Sequence, residues 1–245
     1  MSQLSPRFAP NLRKEWEFFD RENSSALEYR NLCQRMIDVG DSLLAYDVAK
    51  VGLERFSEDR TLSQKAASAL INGGSPLKAT QILEELVAVG DRDVEAHSLL
   101  ASAYKDLWQY ASDPESKKRY AELAIARYKE GFSTTSFDAF KQSRLKDVGT
   151  EYYPCINVAF MYLLSGDAEQ ARSYSKRALD ICQNLKQNSL GDYWSQATTG
   201  EAYLIEGNLD ASLAAYAEAV AMTDAEPAKI ATTRTQAIQI ASAYE

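Results

Sequence analysis

Histidine is nearly absent: His97 is the only one in 245 residues. That removes the Ser-His-Asp and Cys-His constellations, in which an imidazole activates the nucleophile. His97 itself falls beside Leu99 and Leu100 in a helical pattern, which gives it a structural or surface role. Cysteine is also scarce. Cys33, Cys155 and Cys182 are odd in number, far apart and not in CxxC form. They offer neither a disulfide framework nor a zinc set, and read as small buried apolar groups in a reducing compartment. The eleven glycines form no Walker A or dinucleotide-binding run. No apolar stretch approaches the ~18 residues a membrane helix needs, and Met1 to Asp20 lacks the apolar core of a signal peptide. A cytoplasmic protein that makes no contact with a membrane is expected.

Positive charge is in deficit as well. The chain has 27 basic against 35 acidic residues, a net charge of −8. Nucleic-acid affinity comes from Lys and Arg displacing counterions, so a nucleic-acid partner is not expected. The densest basic run, Lys117-Lys118-Arg119, stands beside Asp113 and Glu115 and reads as a solvated helix face. Carboxylates such as Glu84-Glu85, Asp91 and Asp93 fall on polar faces or turns. No catalytic residue, metal ligand or cofactor is expected.

What the sequence does have is a repeat. Four segments share a turn glycine followed by a helical pattern with small residues inside. Gly40 precedes Ala45 and Ala49, and Gly74 precedes Ala79 and Leu83. Gly166 precedes Ala171, Ser175 and Ala178, and Gly207 precedes Ser212, Tyr216 and Ala219. Gly40 and Gly74 lie 34 residues apart, the tetratricopeptide (TPR) period. Each unit is then two antiparallel helices joined by a tight turn. Glycine closes the first helix in the left-handed conformation, and Asp, Ser or Asn caps the second. The small residues let the two helices approach closely.

Capping boxes are expected at Ser25–Glu28, Thr61–Gln64 and Asp167–Gln170. Pro76, Pro114 and Pro154 are expected at first helical positions. No alternating β-branched run predicts a strand.

These patterns predict an all-α, TPR-like right-handed superhelical solenoid of about five helical hairpins plus a C-terminal capping helix. One array spans 1–245. Within it, 1–24 holds a lone helix at about Asn11 to Glu22, whose Trp16, Phe18 and Phe19 need the first repeat as a partner. Residues 25–92 hold two regular TPRs. Residues 93–151 hold an irregular repeat with an insertion, including a short helix around Phe137 to Lys146. Residues 152–226 hold two TPRs with a spacer from Gln183 to Gly191. Residues 227–245 hold the capping helix.

A more specific likeness runs from about Leu99 to Gln236. It is carried by Tyr104-Lys105-Asp106, by Ala124 to Phe132, by Tyr153-Pro154-Cys155-Ile156-Asn157-Val158-Ala159, by Tyr193 to Thr198, by Glu201-Ala202 and by Thr233-Arg234-Thr235-Gln236. These blocks resemble the TRAF-binding domain of the apoptosis-signal-regulating kinases and its bacterial TPR relatives. Cys155 stands where that family usually has glycine. The resemblance implies a helical regulatory platform for partner proteins, without a kinase domain.

In such arrays the first helices line the concave surface. Asn157 is the leading candidate for holding a partner backbone, because its amide both donates and accepts; the alternative is a capping or inter-helix hydrogen bond. Tyr153 and Phe160 lie one turn either side of it. Lys105, Gln196 and Glu201 on neighbouring first helices, and Arg234 on the closing helix, complete the candidate set. The function expected is a non-catalytic interaction scaffold or regulatory subunit in a signalling or stress pathway, binding a protein or peptide. The alternative is a receptor sensing a short peptide or small molecule. Exposed aromatics at either end would allow a homodimer by stacking.

Overall fold

A computed structural model describes residues 11–88, 93–132 and 151–244. Among them every regular element is an α-helix. The chain falls into two compact units, 1–91 and 92–245, where the sequence predicts one array. The insertion from 133 to 150, with its expected helix at Phe137 to Lys146, lies outside the described residues.

The first unit holds α1 (Leu12–Glu17), α2 (Ala26–Asp38), α3 (Ser42–Arg55), α4 (Arg60–Asn72) and α5 (Pro76–Ala88). Helices α2/α3 and α4/α5 pair as two hairpins. α1 is shorter than the sequence suggests. Leu12 and Trp16 bury against the first hairpin, Phe19 packs beside them with its ring 4.8 Å from Tyr29, and Arg21 covers the indole at 4.4 Å. Phe18 does not join them and is 86% exposed. Neighbouring residues on so short a helix point to different sides, and Trp16 and Phe19, three apart, take the inner side.

The second unit holds α6 (Val94–Tyr110), α7 (Pro114–Phe132), α8 (Tyr152–Leu164), α9 (Ala168–Gln187), α10 (Tyr193–Ile205), α11 (Leu209–Val220) and α12 (Pro227–Ser242). Helices α6/α7, α8/α9 and α10/α11 form three more hairpins. α9 continues through the spacer expected from Gln183, ending at Gln187 in a turn with Ser189 at φ 57°. Leu185 and Cys182 explain the extra turn, because both are buried.

The hairpin turns follow the glycines. Gly40, Gly74, Gly166 and Gly207 have φ between 73° and 83°. At the first, Asp41 N–H reaches Met36 O at 2.9 Å and Gly40 N–H reaches Ile37 O at 3.0 Å, which satisfies carbonyls that the helix end leaves free. The small residues that follow are buried as expected, including Ala45, Ala49, Ala79, Ala171, Ser175 and Ser212.

The caps agree in part. Ser25 and Glu28 form the expected box, and Asp167 accepts from Gln170 N–H. Thr61 does not open α4. Asp59 does, accepting from Leu62 N–H at 2.9 Å while Arg30 Nε donates to it at 3.0 Å. A carboxylate two residues earlier accepts more strongly than a hydroxyl and can serve both donors. Asp41 precedes α3 without a side-chain cap bond. Pro154 is the third residue of α8 rather than the first, because the helix already begins at Tyr152.

One hairpin seam inverts the small-residue rule. The second helix carries the bulky Tyr216, so the first helix answers with Gly200. A Cβ added at Gly200 would lie 2.7 Å from the Tyr216 ring. Ser212 Oγ donates to Gly200 O at 2.8 Å across the same seam. Gly200→Ala gains about 1 kcal/mol of helix propensity but overpacks the seam by about 1–3 kcal/mol. The net expectation is a lower melting temperature when Gly200→Ala is made in the native chain, but not when it is made in a Tyr216→Ser chain, where the ring is gone. Thermal unfolding of the single and double variants checks this.

Candidate partner-binding site

The first helices of the second unit bring together residues far apart in sequence. Lys105 projects from α6, and its Nζ donates to Asn157 Oδ1 on α8 at 2.8 Å. It also donates to Gln236 Oε1 on α12 at 3.3 Å. The other end of the Gln236 amide donates from Nε2 to Glu201 Oε2 on α10 at 3.1 Å. Asn157 is fixed in turn, its Nδ2 donating to Tyr153 O one helical turn earlier at 2.9 Å. Phe160 supplies an apolar face, its ring centre 5.4 Å from the Lys105 ammonium. One ammonium, one carboxylate and two carboxamides thus tie four helices.

Burial sets the electrostatics. Asn157, Phe160 and Glu201 are buried, and Lys105 is half-buried with its amine turned inward. Burial raises the Glu201 carboxyl to about 7, against the opposing effects of Lys105 and of the Gln236 hydrogen bond. Burial likewise lowers Lys105, while Asp106 and Glu201 resist that shift. Asp106, beside Lys105 in sequence, is raised by burial and held down by the same ammonium.

Five of the seven candidate residues meet here: Lys105, Asn157, Phe160, Glu201 and, through its carbonyl, Tyr153. The Tyr153 side chain stands at the rim, 41% exposed, with its ring 6.1 Å from Tyr128. Gln196 does not take part. Its Nε2 donates to Glu218 Oε2 at 3.0 Å and to Ala215 O at 3.4 Å, so it serves the α10/α11 seam. Five residues of α-helix turn about 140°, which puts Gln196 and Glu201 on different sides. Arg234 is exposed, and its neighbour two positions on, Gln236, points inward instead. Gln236 was not among the candidates. The spacing of Thr233, Gln236 and Ile240 on one face of α12 is the signal that would have found it.

The remaining sequence features have structural partners. His97 Nδ1 lies 3.2 Å from Glu130 Oε2, and burial lowers its pKa. The three cysteines are buried free thiols, and burial pushes Cys33 and Cys155 up to about 12. In the first unit an open pocket of about 680 Å³ between α1 and α2 contains none of the candidate residues. Among the described residues no group of three or more His, Cys, Asp or Glu could hold a metal ion. No described helix is long and apolar enough to cross a membrane.

Glycine-turned helical hairpins, small-residue seams and a polar patch on the first helices define an α-helical repeat protein of the kind that binds other proteins. Comparison with known families gives the repeat class. A model described as Tetratricopeptide Repeats-Sensor matches residues 41–162, and a Tetratricopeptide repeat model matches 152–225. The chain is a tetratricopeptide-repeat protein. No curated protein sequence matches it. Among solved structures it is similar to a thermophilic TPR protein of Thermus thermophilus, at 21% identity and TM-score 0.63, over 90% of this chain and 99% of that one. It is also similar to nearly identical TPR-like repeats of a putative kinesin light chain from Podosopora anserina, at 14% identity and TM-score 0.55, over 85% and 95%. At these identities the likeness is one of fold.

Proposed function

We propose that the first-helix face of the second unit binds a segment of a partner protein, and that the chain is a non-catalytic, cytoplasmic scaffold or regulatory subunit in a signalling or stress pathway. One observation carries the binding reading. A lysine and a glutamate are sunk between helices and linked through the Gln236 carboxamide, in a stack that alanine, leucine and tyrosine would hold together without them. Burying charge is costly, and a fold with apolar alternatives has no need of it for stability. The same set of donors and acceptors matches a peptide unit. Tyr153, 41% exposed, offers a contact at its edge, and Arg234 stands exposed on the closing helix beside it. The signalling assignment rests on the resemblance of residues 99–236 to the TRAF-binding domain of the apoptosis-signal-regulating kinases.

The test places a photo-crosslinking amino acid at position 153 of the full chain, with position 43 as a control. Leu43 is 76% exposed on α3 of the first unit. In extract of the source cells, one discrete adduct is expected from 153, absent from 43 and lost when Asn157→Ala is added. No adduct from 153, or identical adducts from 153 and 43, would refute the binding face.

A further inference from the structure

The candidate site is already occupied, and its occupant belongs to the chain itself. Helix α12 begins over the end of α11, where Ile230 shares a cluster with Tyr193, Ala197 and Ala219. It then packs on α10 and α8. Three residues, spaced three and four apart, face inward. Thr233 Oγ1 accepts from Tyr193 Oη at 3.0 Å, Gln236 bridges Lys105 and Glu201, and Ile240 is fully buried. This is the face of an amphipathic helix lying in a groove.

The hold on α12 is shallow. Helices α8 and α10 bury nine residues each. Among the described residues of α12, Thr233 and Ile240 are the buried ones, while Ala231, Thr232, Arg234, Thr235 and Ile238 are exposed. Elements with few buried apolar contacts open first.

The chemistry at Gln236 is selective. A primary carboxamide carries an acceptor oxygen and a donor nitrogen on one carbon. It therefore satisfies an ammonium and a carboxylate at once without adding charge. A glutamate there would face Glu201 with like charge, a lysine would face Lys105, and a leucine would leave Glu201 without its donor and Lys105 with Asn157 alone.

We propose that Lys105, Asn157, Phe160 and Glu201 form a carboxamide-recognition site in which Gln236 is an internal stand-in ligand, displaced by a partner helix that carries glutamine in the same register: a small polar residue three positions before it and an aliphatic residue four after. This deepens the partner-binding reading of the same face, on which it rests. It names the ligand class, and it makes the closing helix a competitor that keeps the groove shut until such a helix arrives. The intact chain binds its partner more weakly than its open form does, by the fraction of time α12 is displaced.

The probe is a fluorescein-labelled peptide of residues 227–242, the chain's own helix, titrated by anisotropy into three full-length proteins: the native chain, Gln236→Leu and Ile240→Ala. The two variants loosen α12 by different means, and the second keeps the bridging amide. Both are expected to bind the peptide at least tenfold more tightly than the native chain does. They are also expected to bind it at least tenfold more tightly than the same peptide carrying Gln236→Leu. Equal binding of the two peptides, or no gain in either loosened chain, overturns the proposal. Loss of helical circular dichroism in both loosened chains also overturns it, since a displaceable helix cannot be essential to the fold. An adduct at position 153 alongside a failed titration would leave the binding face standing and remove only the displacement. A successful titration with no adduct would overturn both, since the displacing helix would then have no partner to supply it.

Discussion

Lys105→Met is expected to destabilise the second unit by about 3–5 kcal/mol, the range for removing one partner of a buried charged cluster. The methionine fills much the same volume and keeps the contact with Phe160, so packing loss is small. The cost lies in what is left behind. Asn157 Oδ1 and Gln236 Oε1 lose the ammonium that both accept from. Glu201 stays buried with only the Gln236 amide against it. Replacing the pair together, Lys105→Met with Glu201→Leu, is expected to recover most of the loss, because no uncompensated charge remains. Denaturant unfolding followed by circular dichroism measures both. If the single and double variants are equally destabilised, the two ions do not act as a unit.

The sequence showed the hairpins plainly because their causes are local. A glycine at positive φ and a small residue five positions later each leave a mark that one strand of sequence carries alone. The candidate site was legible for the same reason where it follows helix geometry. Tyr153, Asn157 and Phe160 share a face of α8 by spacing, and the structure sets Lys105 and Glu201 opposite them. Three things were not legible. Gln196 and Arg234 were placed by rough position along their helices, and the rotation of a helix about its axis depends on the partner it packs against. Gln196 answers to Glu218 on α11, and that neighbour is fixed only once α11 is folded back. Gln236 lies 131 residues from Lys105, and no local pattern pairs a lysine with an amide at that range. The opening of α4 was assigned to Thr61 because its box is complete in sequence, while Asp59 prevails through Arg30, 29 residues away. Local chemistry thus fixed the elements, and long-range polar partners decided their rotation and their ends.

The long-range polar partners also give the protein a pH dependence that its ordinary surface would not. Glu201 is raised from 4.5 to about 7, burial being the first cause. A raised folded pKa means the native state binds the proton more tightly than the unfolded chain does. The stabilisation is fully present below about pH 4.5 and is lost as pH rises through 7. Between pH 5.5 and 8 this one group is expected to remove about 2 kcal/mol of stability. Buried groups nearby act in other senses: Lys105 and His97 are both lowered by burial, which makes stability rise with pH where they titrate. The comparison that isolates Glu201 is therefore with Glu201→Gln, which keeps the shape and the neighbours but has no proton to lose. Stability of the native chain measured from pH 5.5 to 8 should fall relative to Glu201→Gln, with the difference levelling off above pH 7. Parallel profiles would mean that the carboxylate is solvated as an ordinary surface group, and that the bridge through Gln236 does not hold it inside.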